Sequence, residues 1–167
     1  DASTVSQNSI LAYRKNNYDR WLLYADGATE YGTVTGTNFR LDAYNNAGLF
    51  LEALGKKDEM KPSDVAIATN RLYVTDLKNH GVKVFSKADH KLLFTIPLET
   101  GPAEGKLLSP TNLALDQENG RLLVSDTGAN AVQMYDLDGK YLKTIGKAGV
   151  APGLFARPKG VAVDRQD

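Results

Sequence analysis

The chain has 167 residues, 42% of them apolar, which is enough to bury a useful core. Lysine plus arginine equals aspartate plus glutamate at 20 each, with no basic tract, so nucleic acid is not an expected partner. There is no cysteine, which excludes disulfides, thiolate zinc sites and cysteine nucleophiles, and the two histidines, His80 and His90, cannot supply a three-histidine metal site. No apolar run reaches the roughly 18 residues that a membrane span needs, so a soluble chain is expected. The start at Asp1 leaves open that a targeting segment was removed, and a secreted or periplasmic setting is favoured.

Taken in chain order, the sequence reads as a set of copies of one unit. The first copy covers about 10–55 and carries Trp21-Leu-Leu-Tyr-Ala-Asp26, then a long excursion over 27–38, then Tyr44-Asn-Asn-Ala-Gly48-Leu-Phe-Leu-Glu-Ala-Leu-Gly55. The second covers about 62–96 and opens on Pro62-Ser-Asp-Val-Ala-Ile-Ala, followed by Arg71-Leu-Tyr-Val-Thr-Asp76 and Val82-Lys-Val-Phe85. The third, about 110–146, repeats these as Pro110-Thr-Asn-Leu-Ala-Leu-Asp, Arg121-Leu-Leu-Val-Ser-Asp126 and Val132-Gln-Met-Tyr135. Its closing stretch, Tyr135-Asp-Leu-Asp-Gly139-Lys-Tyr-Leu-Lys-Thr-Ile-Gly146, aligns without a gap on 44–55. Pro158-Lys-Gly-Val-Ala-Val-Asp then opens a further unit at about 158–164, so Pro62, Pro110 and Pro158 fall 48 residues apart.

Each unit reads as four short strands separated by Gly, Asn and Asp turns, and a period of about 40–50 residues of that kind marks a β-propeller blade. Alternation in Val82-Lys-Val and Leu142-Lys-Thr-Ile predicts half-buried strands, whereas the apolar runs around Leu72 and Leu122 predict strands buried on both faces. Val65, Ile67, Leu113, Leu115, Val161 and Val163 are expected on equivalent innermost strands. The fold class is therefore all-β, a single partial propeller over 1–167 with about three four-stranded antiparallel blades and one extra strand. Three units do not close a ring of four to eight blades. The expectation is part of a larger ring, completed by further blades or by a second chain that covers the exposed edges.

Pro-x-Gly-Val-Ala-Val-Asp, the Val-(Thr/Ser)-Asp strand ends, Asn79-His80 and the 146–158 stretch resemble NHL repeats, most closely from about 62 to 164. The resemblance implies a closed ring of six blades, of which this chain would supply about half, and a surface for proteins, nucleic acid or small ligands. It implies no single activity, because function lives in sites grafted on the fold.

Asp26, Asp76 and Asp126 recur 50 residues apart at the end of one strand. Repetition suits a carboxylate that accepts backbone N–H groups in the following turn, and a ligand site would need asymmetry, so these are read as structural turn residues and not as metal ligands. Asp136-Leu-Asp138-Gly139 reads as a hairpin turn, since it lacks the distal ligands of a calcium loop. Alternate connections of an up-and-down blade emerge on one face, so the loops at 27–38, 77–81 and 127–131 share a face with 55–61, 97–109 and 146–157. The excursion at 27–38 is either a binding loop, with Glu30, Tyr31 and Asn38 as contacts, or an added hairpin around Thr33-Val34-Thr35. His80, in a shorter loop of the same face, is a further candidate for ligand binding; catalytic residues, metal ligands and cofactors are not expected. The leading expectation is a noncatalytic binding or scaffolding module for a protein or extended ligand. The alternative is a metal-dependent propeller lyase or hydrolase whose site is completed by other blades.

Overall fold

The computed structural model describes residues 10–14, 20–26, 29–34, 40–45, 50–56 and 59–164, with side chains described from Ala53 onward. Among these residues the chain is all-β and forms three antiparallel sheets, each an up-and-down meander. The first holds β1 (Ile10–Arg14), β2 (Arg20–Asp26), β3 (Thr29–Val34), β4 (Arg40–Asn45) and β5 (Phe50–Leu54). The second holds β6 (Pro62–Ile67), β7 (Arg71–Asp76), β8 (Gly81–Ser86) and β9 (Leu92–Ile96). The third holds β10 (Pro110–Asp116), β11 (Arg121–Asp126), β12 (Ala131–Asp136) and β13 (Tyr141–Ile145). No helix among the described residues is long and apolar enough to cross a membrane.

The three sheets share a register mark. The pairing of third and fourth strands shifts just before an aromatic residue of the third, between Val84 and Phe85 and between Met134 and Tyr135, where Leu93 and Leu142 are the extra, bulged residues of the fourth strand, and the same irregularity falls between Ala43 and Tyr44 of β4, opposite Leu51. Bulges re-aim a strand at a fixed position, so β4, β8 and β12 are equivalent. Counting back through each meander makes β3 the counterpart of β7 and β11, and β2 the counterpart of β6 and β10. Packing between sheets agrees, because β10 lies on β6 and β7 while β6 lies on β2 and β3.

This corrects two expectations about the first unit. Its sheet has five strands instead of four, with β1 added beyond β2. Residues 29–34 are a full strand paired with β2 and β4, so Glu30 and Tyr31 sit in a sheet and not on a loop. With β3 occupying the second position, Trp21–Asp26 is a first strand, and Asp26 is not the positional equivalent of Asp76 and Asp126.

Between the second and third sheets, Ala66, Tyr73, Val82, Val84 and Ile96 pack against Leu107, Leu113, Leu122, Val124 and Tyr135. The opposite side of the second sheet joins Val65, Leu72, Val74 and Phe85 to Leu54 and Met60. Strand β7 thus alternates between two cores, Leu72 and Val74 on one side and Tyr73 on the other, which is why it reads as an unbroken apolar run.

Polar ties lock the sheets together beside this core. The buried Asp64 carboxylate accepts Val65 N–H through Oδ1 at 2.9 Å and, through Oδ2, Leu113 N–H of the next sheet at 2.8 Å. Ser63 Oγ lies 2.8 Å from Thr75 Oγ1 and reaches the carbonyls of Pro110 and Thr111 at 3.3 and 3.0 Å. One repeat later Thr111 Oγ1 lies 3.0 Å from Thr127 Oγ1, which donates to the Pro158 carbonyl at 2.6 Å. Farther out, Arg71 lies over the Phe94 ring at 5.4 Å and donates to the Leu137 carbonyl and to Asp138, while Tyr73 Oη also donates to Leu137.

The segment 158–164 is therefore seated at its start as β10 is, but it forms no strand among the described residues. Val161 is half-buried and Val163 is 36% exposed, contrary to the expectation of an innermost strand, and among the described residues no strand pairs with them. Ile67 and Leu115, at the far ends of β6 and β10, are half-buried instead of fully enclosed.

Leu113 is 2% exposed at the centre of the inter-sheet core. Leu113→Ala is expected to lower the unfolding free energy by about 2–5 kcal/mol in urea titrations, and Leu115→Ala by clearly less. Equal losses at the two positions would contradict the packing described.

Candidate functional site

The connections 77–80, 97–109, 127–130 and 146–157 emerge on one face, and a single buried carboxylate organises each of the two shorter turns. Asp76 Oδ1 accepts N–H groups from Lys78 at 3.0 Å and Asn79 at 3.3 Å in its own turn, and from Lys61 in the preceding inter-sheet loop at 2.9 Å. Asn79 Nδ2 donates to Asp76 Oδ2 at 2.6 Å and to the Glu59 carbonyl at 3.0 Å. Asp126 repeats the pattern, taking Gly128 and Ala129 N–H at 3.1 Å each and, from the preceding loop, Ser109 at 2.8 Å and Leu108 at 2.7 Å. Both carboxylates are fully buried. Among the described residues no three His, Asp or Glu side chains are grouped to hold a metal ion.

Each of these turns ends on a residue with positive φ, His80 at 53° and Asn130 at 55°. Asn and His are among the side chains that enter this region most readily. The conformation turns both side chains to the same task. His80 Nδ1 lies 2.5 Å from the Leu108 carbonyl, so Nδ1 carries the proton and donates. Asn130 Oδ1 accepts Arg157 N–H at 2.7 Å. Each side chain thus staples its turn to the loop that enters the next unit. The donation fixes the neutral His80 ring as the Nδ1–H tautomer, which leaves Nε2 with its lone pair.

The loop 97–109 is held from its other side. Tyr135 Oη donates to the Gly105 carbonyl at 2.5 Å, and a Cβ at Gly105 would meet the Tyr141 ring at 2.9 Å, so only glycine lets the loop lie this close. The Tyr135 and Tyr141 rings meet edge to face at 6.1 Å. Burial, with the Asp126 charge in second place, pushes the Tyr135 phenol well above its ordinary value and keeps it a donor.

Between this loop and the 77–81 turn lies an open cleft of about 290 Å³. Half-buried Pro97 and Leu98 give it apolar walls, with the buried core residues Ile96 and Leu107 behind them. His80, Glu99 and Lys106 stand at its polar edge, all exposed. Neither Glu99 nor Lys106 has an ion-pair partner among the described residues. Gly81 helps keep the space open, since a Cβ there would meet the Ile96 carbonyl at 2.8 Å, whereas the matching position of the third sheet is Ala131.

Of the residues singled out in the sequence, His80 is at this cleft. The Glu30 and Tyr31 side chains and Asn38 lie outside the described residues. Glu99 and Lys106 carry no motif, and the available signal was the length of the 97–109 connection. His90 lies in the β8–β9 turn with φ 55°, and Gly139 holds the matching β12–β13 turn at φ 88°, where Asp136 Oδ1 accepts Asp138 and Lys140 N–H at 3.0 and 2.8 Å.

A charged cluster borders the same face. Lys83, almost fully buried, lies 3.4 Å from Glu59 Oε1 and 3.8 Å from Asp76 Oδ2. The Lys56 N–H bond to Glu59 Oε2 at 2.8 Å, helped by Lys83, holds the Glu59 carboxyl below its ordinary 4.5.

Residues 68–167 match the family described as 6-bladed beta-propeller (DUF5128), and the chain belongs to that family. Over 108 residues it is 28% identical to Protein brain tumor of Drosophila melanogaster, a match that takes in 64% of this chain and 10% of that protein. The chain thus spans about a tenth of the length of that relative. Among solved structures it is similar to a Nidogen/Laminin complex chain, with a TM-score of 0.60 and 15% identity over 77% of this chain and 47% of that one. It is also similar to Kuenenia stuttgartiensis hydrazine synthase, with a TM-score of 0.57 and 14% identity over 79% of this chain and 35% of that one. At these identities the structural likenesses show the fold alone.

Two outcomes test this geometry. Asp126→Ala strands four backbone N–H groups and is expected to cost about 3 kcal/mol by urea titration; a loss below about 0.5 kcal/mol would contradict the anchoring role. Because the Glu59 pKa is lowered on folding, its contribution is complete above 4.5 and is lost as pH falls through the folded value. Glu59→Gln should therefore flatten the decline in thermal midpoint below pH 4.5, and an unchanged acid slope would contradict it.

Proposed function

We propose that this chain is a noncatalytic, NHL-type binding module that presents the loops 77–80, 97–109, 127–130 and 146–157 to a protein partner. The observation that carries the reading is the asymmetry of this face. The turns repeat from sheet to sheet, as scaffold does, while the cleft at 97–109, with its unpaired Glu99 and Lys106, has no copy described in the third sheet. Membership of a propeller family and the repeat motifs at 62–68, 110–116 and 158–164 support the NHL assignment. Asp76 and Asp126 serve in this reading as structural turn residues, and His80 borders the contact surface.

Further propeller blades complete the ring in this proposal. Ala66, Val82 and Val84 of the second sheet pack against the third. The Thr127 bond to the Pro158 carbonyl beside the third sheet marks where a following blade would enter.

Crosslinking of the full-length protein in a native extract, read by mass spectrometry, is expected to place partner crosslinks on the four loops. Retention of that partner should fall at least tenfold in a Lys78→Glu, Lys147→Glu double variant and hold in Glu118→Lys, which changes the opposite face. Equal loss in both variants, or stoichiometric metal with turnover in the purified protein, would contradict the proposal.

A further inference from the structure

The β10–β11 turn, on the face opposite the loops 77–80 and 127–130, ends on Asn119 and Gly120, the one Asn-Gly pair in the chain. An asparagine reacts with its own backbone when the amide nitrogen of the next residue can reach its Cγ. Three things oppose that closure: a side chain on the following residue, a hydrogen bond that holds the attacking N–H, and burial away from water and base. None of them operates at Asn119. Gly120 has no Cβ, and one placed there would meet nothing within 4 Å. Its φ of 64° lies in a region that glycine enters and leaves freely. Among the described residues no backbone carbonyl takes the Gly120 N–H, and Asn119 is exposed.

The other described asparagines are protected. Arg71 and Ala131, which follow Asn70 and Asn130, are paired in strands. The Leu113 N–H that follows Asn112 is held by Asp64. Asn79 is followed by His80 and spends its own amide on Asp76 and the Glu59 carbonyl.

Asn119 also supports a neighbour. Asp116, only 9% exposed, accepts Asn119 N–H through Oδ1 and Asn119 Nδ2 through Oδ2, both at 2.9 Å. Those two bonds, the backbone one first, hold the Asp116 carboxyl below its ordinary range. The second sheet has Ala68 at the matching position, so this arrangement belongs to the third sheet and not to the repeat.

We propose that Asn119 is a site of spontaneous deamidation, a slow modification that loosens the β10–β11 turn. The Gly120 nitrogen, having given its proton to base, bonds to Asn119 Cγ. The Cγ–Nδ2 bond breaks, and Nδ2 takes up a proton and leaves as ammonia, which closes a cyclic imide. Water then opens the imide at either carbonyl, giving aspartate or, where the chain now runs through Cγ, isoaspartate. Both products lose the Nδ2 donor to Asp116 and bring a second carboxylate beside it, so a hydrogen bond gives way to like-charge repulsion. None of this rests on the binding-module reading.

The test is to hold the purified full-length protein in mildly alkaline buffer made with heavy-oxygen water and to follow each asparagine by peptide mapping. Conversion at Asn119 should run at least about tenfold ahead of that at Asn70, Asn79, Asn112 and Asn130, incorporate heavy oxygen, and yield both aspartate and isoaspartate. Conversion no faster than at those four positions would overturn the proposal. The consequence is read by thermal unfolding at neutral pH. Asn119→Asp should lower the midpoint, and in an Asp116→Asn background the same change should cost less than about half as much. An unchanged midpoint, or an equal loss in both backgrounds, would overturn the loosening through Asp116.

Discussion

The loop face depends on a buried carboxylate at the end of each second strand. A strand end delivers several backbone N–H groups into a turn at once, and burying them unpaired would cost more than any single contact there returns. Asp76 and Asp126 each accept such groups from two directions, from the turn that follows and from the inter-sheet loop that precedes the blade. One side chain therefore sets the spacing between two connections that are about 17 residues apart in sequence. The αL residue that closes each turn then reaches forward to the next inter-sheet loop, through His80 in one sheet and Asn130 in the other. Turn, preceding loop and following loop become one rigid edge, against which a variable connection such as 97–109 can carry a specific surface.

The use of histidine at one of these two equivalent positions follows from the backbone before it follows from chemistry. Asparagine and histidine both tolerate positive φ, and both offer a short polar arm. The difference is what remains after the staple is made. The Asn130 amide keeps its Nδ2 donors, whereas His80 keeps its second ring nitrogen, Nε2, at the border of the cleft. One substitution thus changes the side chain at the border of the cleft without disturbing the turn.

Much of this was legible in the chain. The 48-residue spacing of Pro62, Pro110 and Pro158 placed the second and third sheets, because Pro62 and Pro110 each sit where a first strand enters and the missing N–H costs nothing. The first sheet was misread by one strand. Trp21–Asp26 ends in Asp like β7 and β11, and the glycines at 27, 32 and 36 made 29–34 look like a loop. Pairing on both sides overrides that weak local preference, and the bulge before Tyr44 reveals the true count. The His80–Leu108 staple and the cleft were not legible, since they join residues about 28 positions apart with no motif linking them. Val161 and Val163 match the pattern of an innermost strand, but among the described residues no strand pairs with them and they form none.

Amide hydrogen exchange followed by NMR tests the anchoring directly. The N–H groups of Lys61, Leu108, Ser109, Gly128 and Ala129 lie in loops and turns, where exchange is ordinarily fast, yet each donates to a buried carboxylate. They should exchange as slowly as the strand amides of β7 and β11, and in Asp126→Asn the four that meet Asp126 should speed up while Lys61 does not. Fast exchange of these amides in the unaltered protein, comparable to the exposed turn at 87–90, would contradict a face built on these carboxylates.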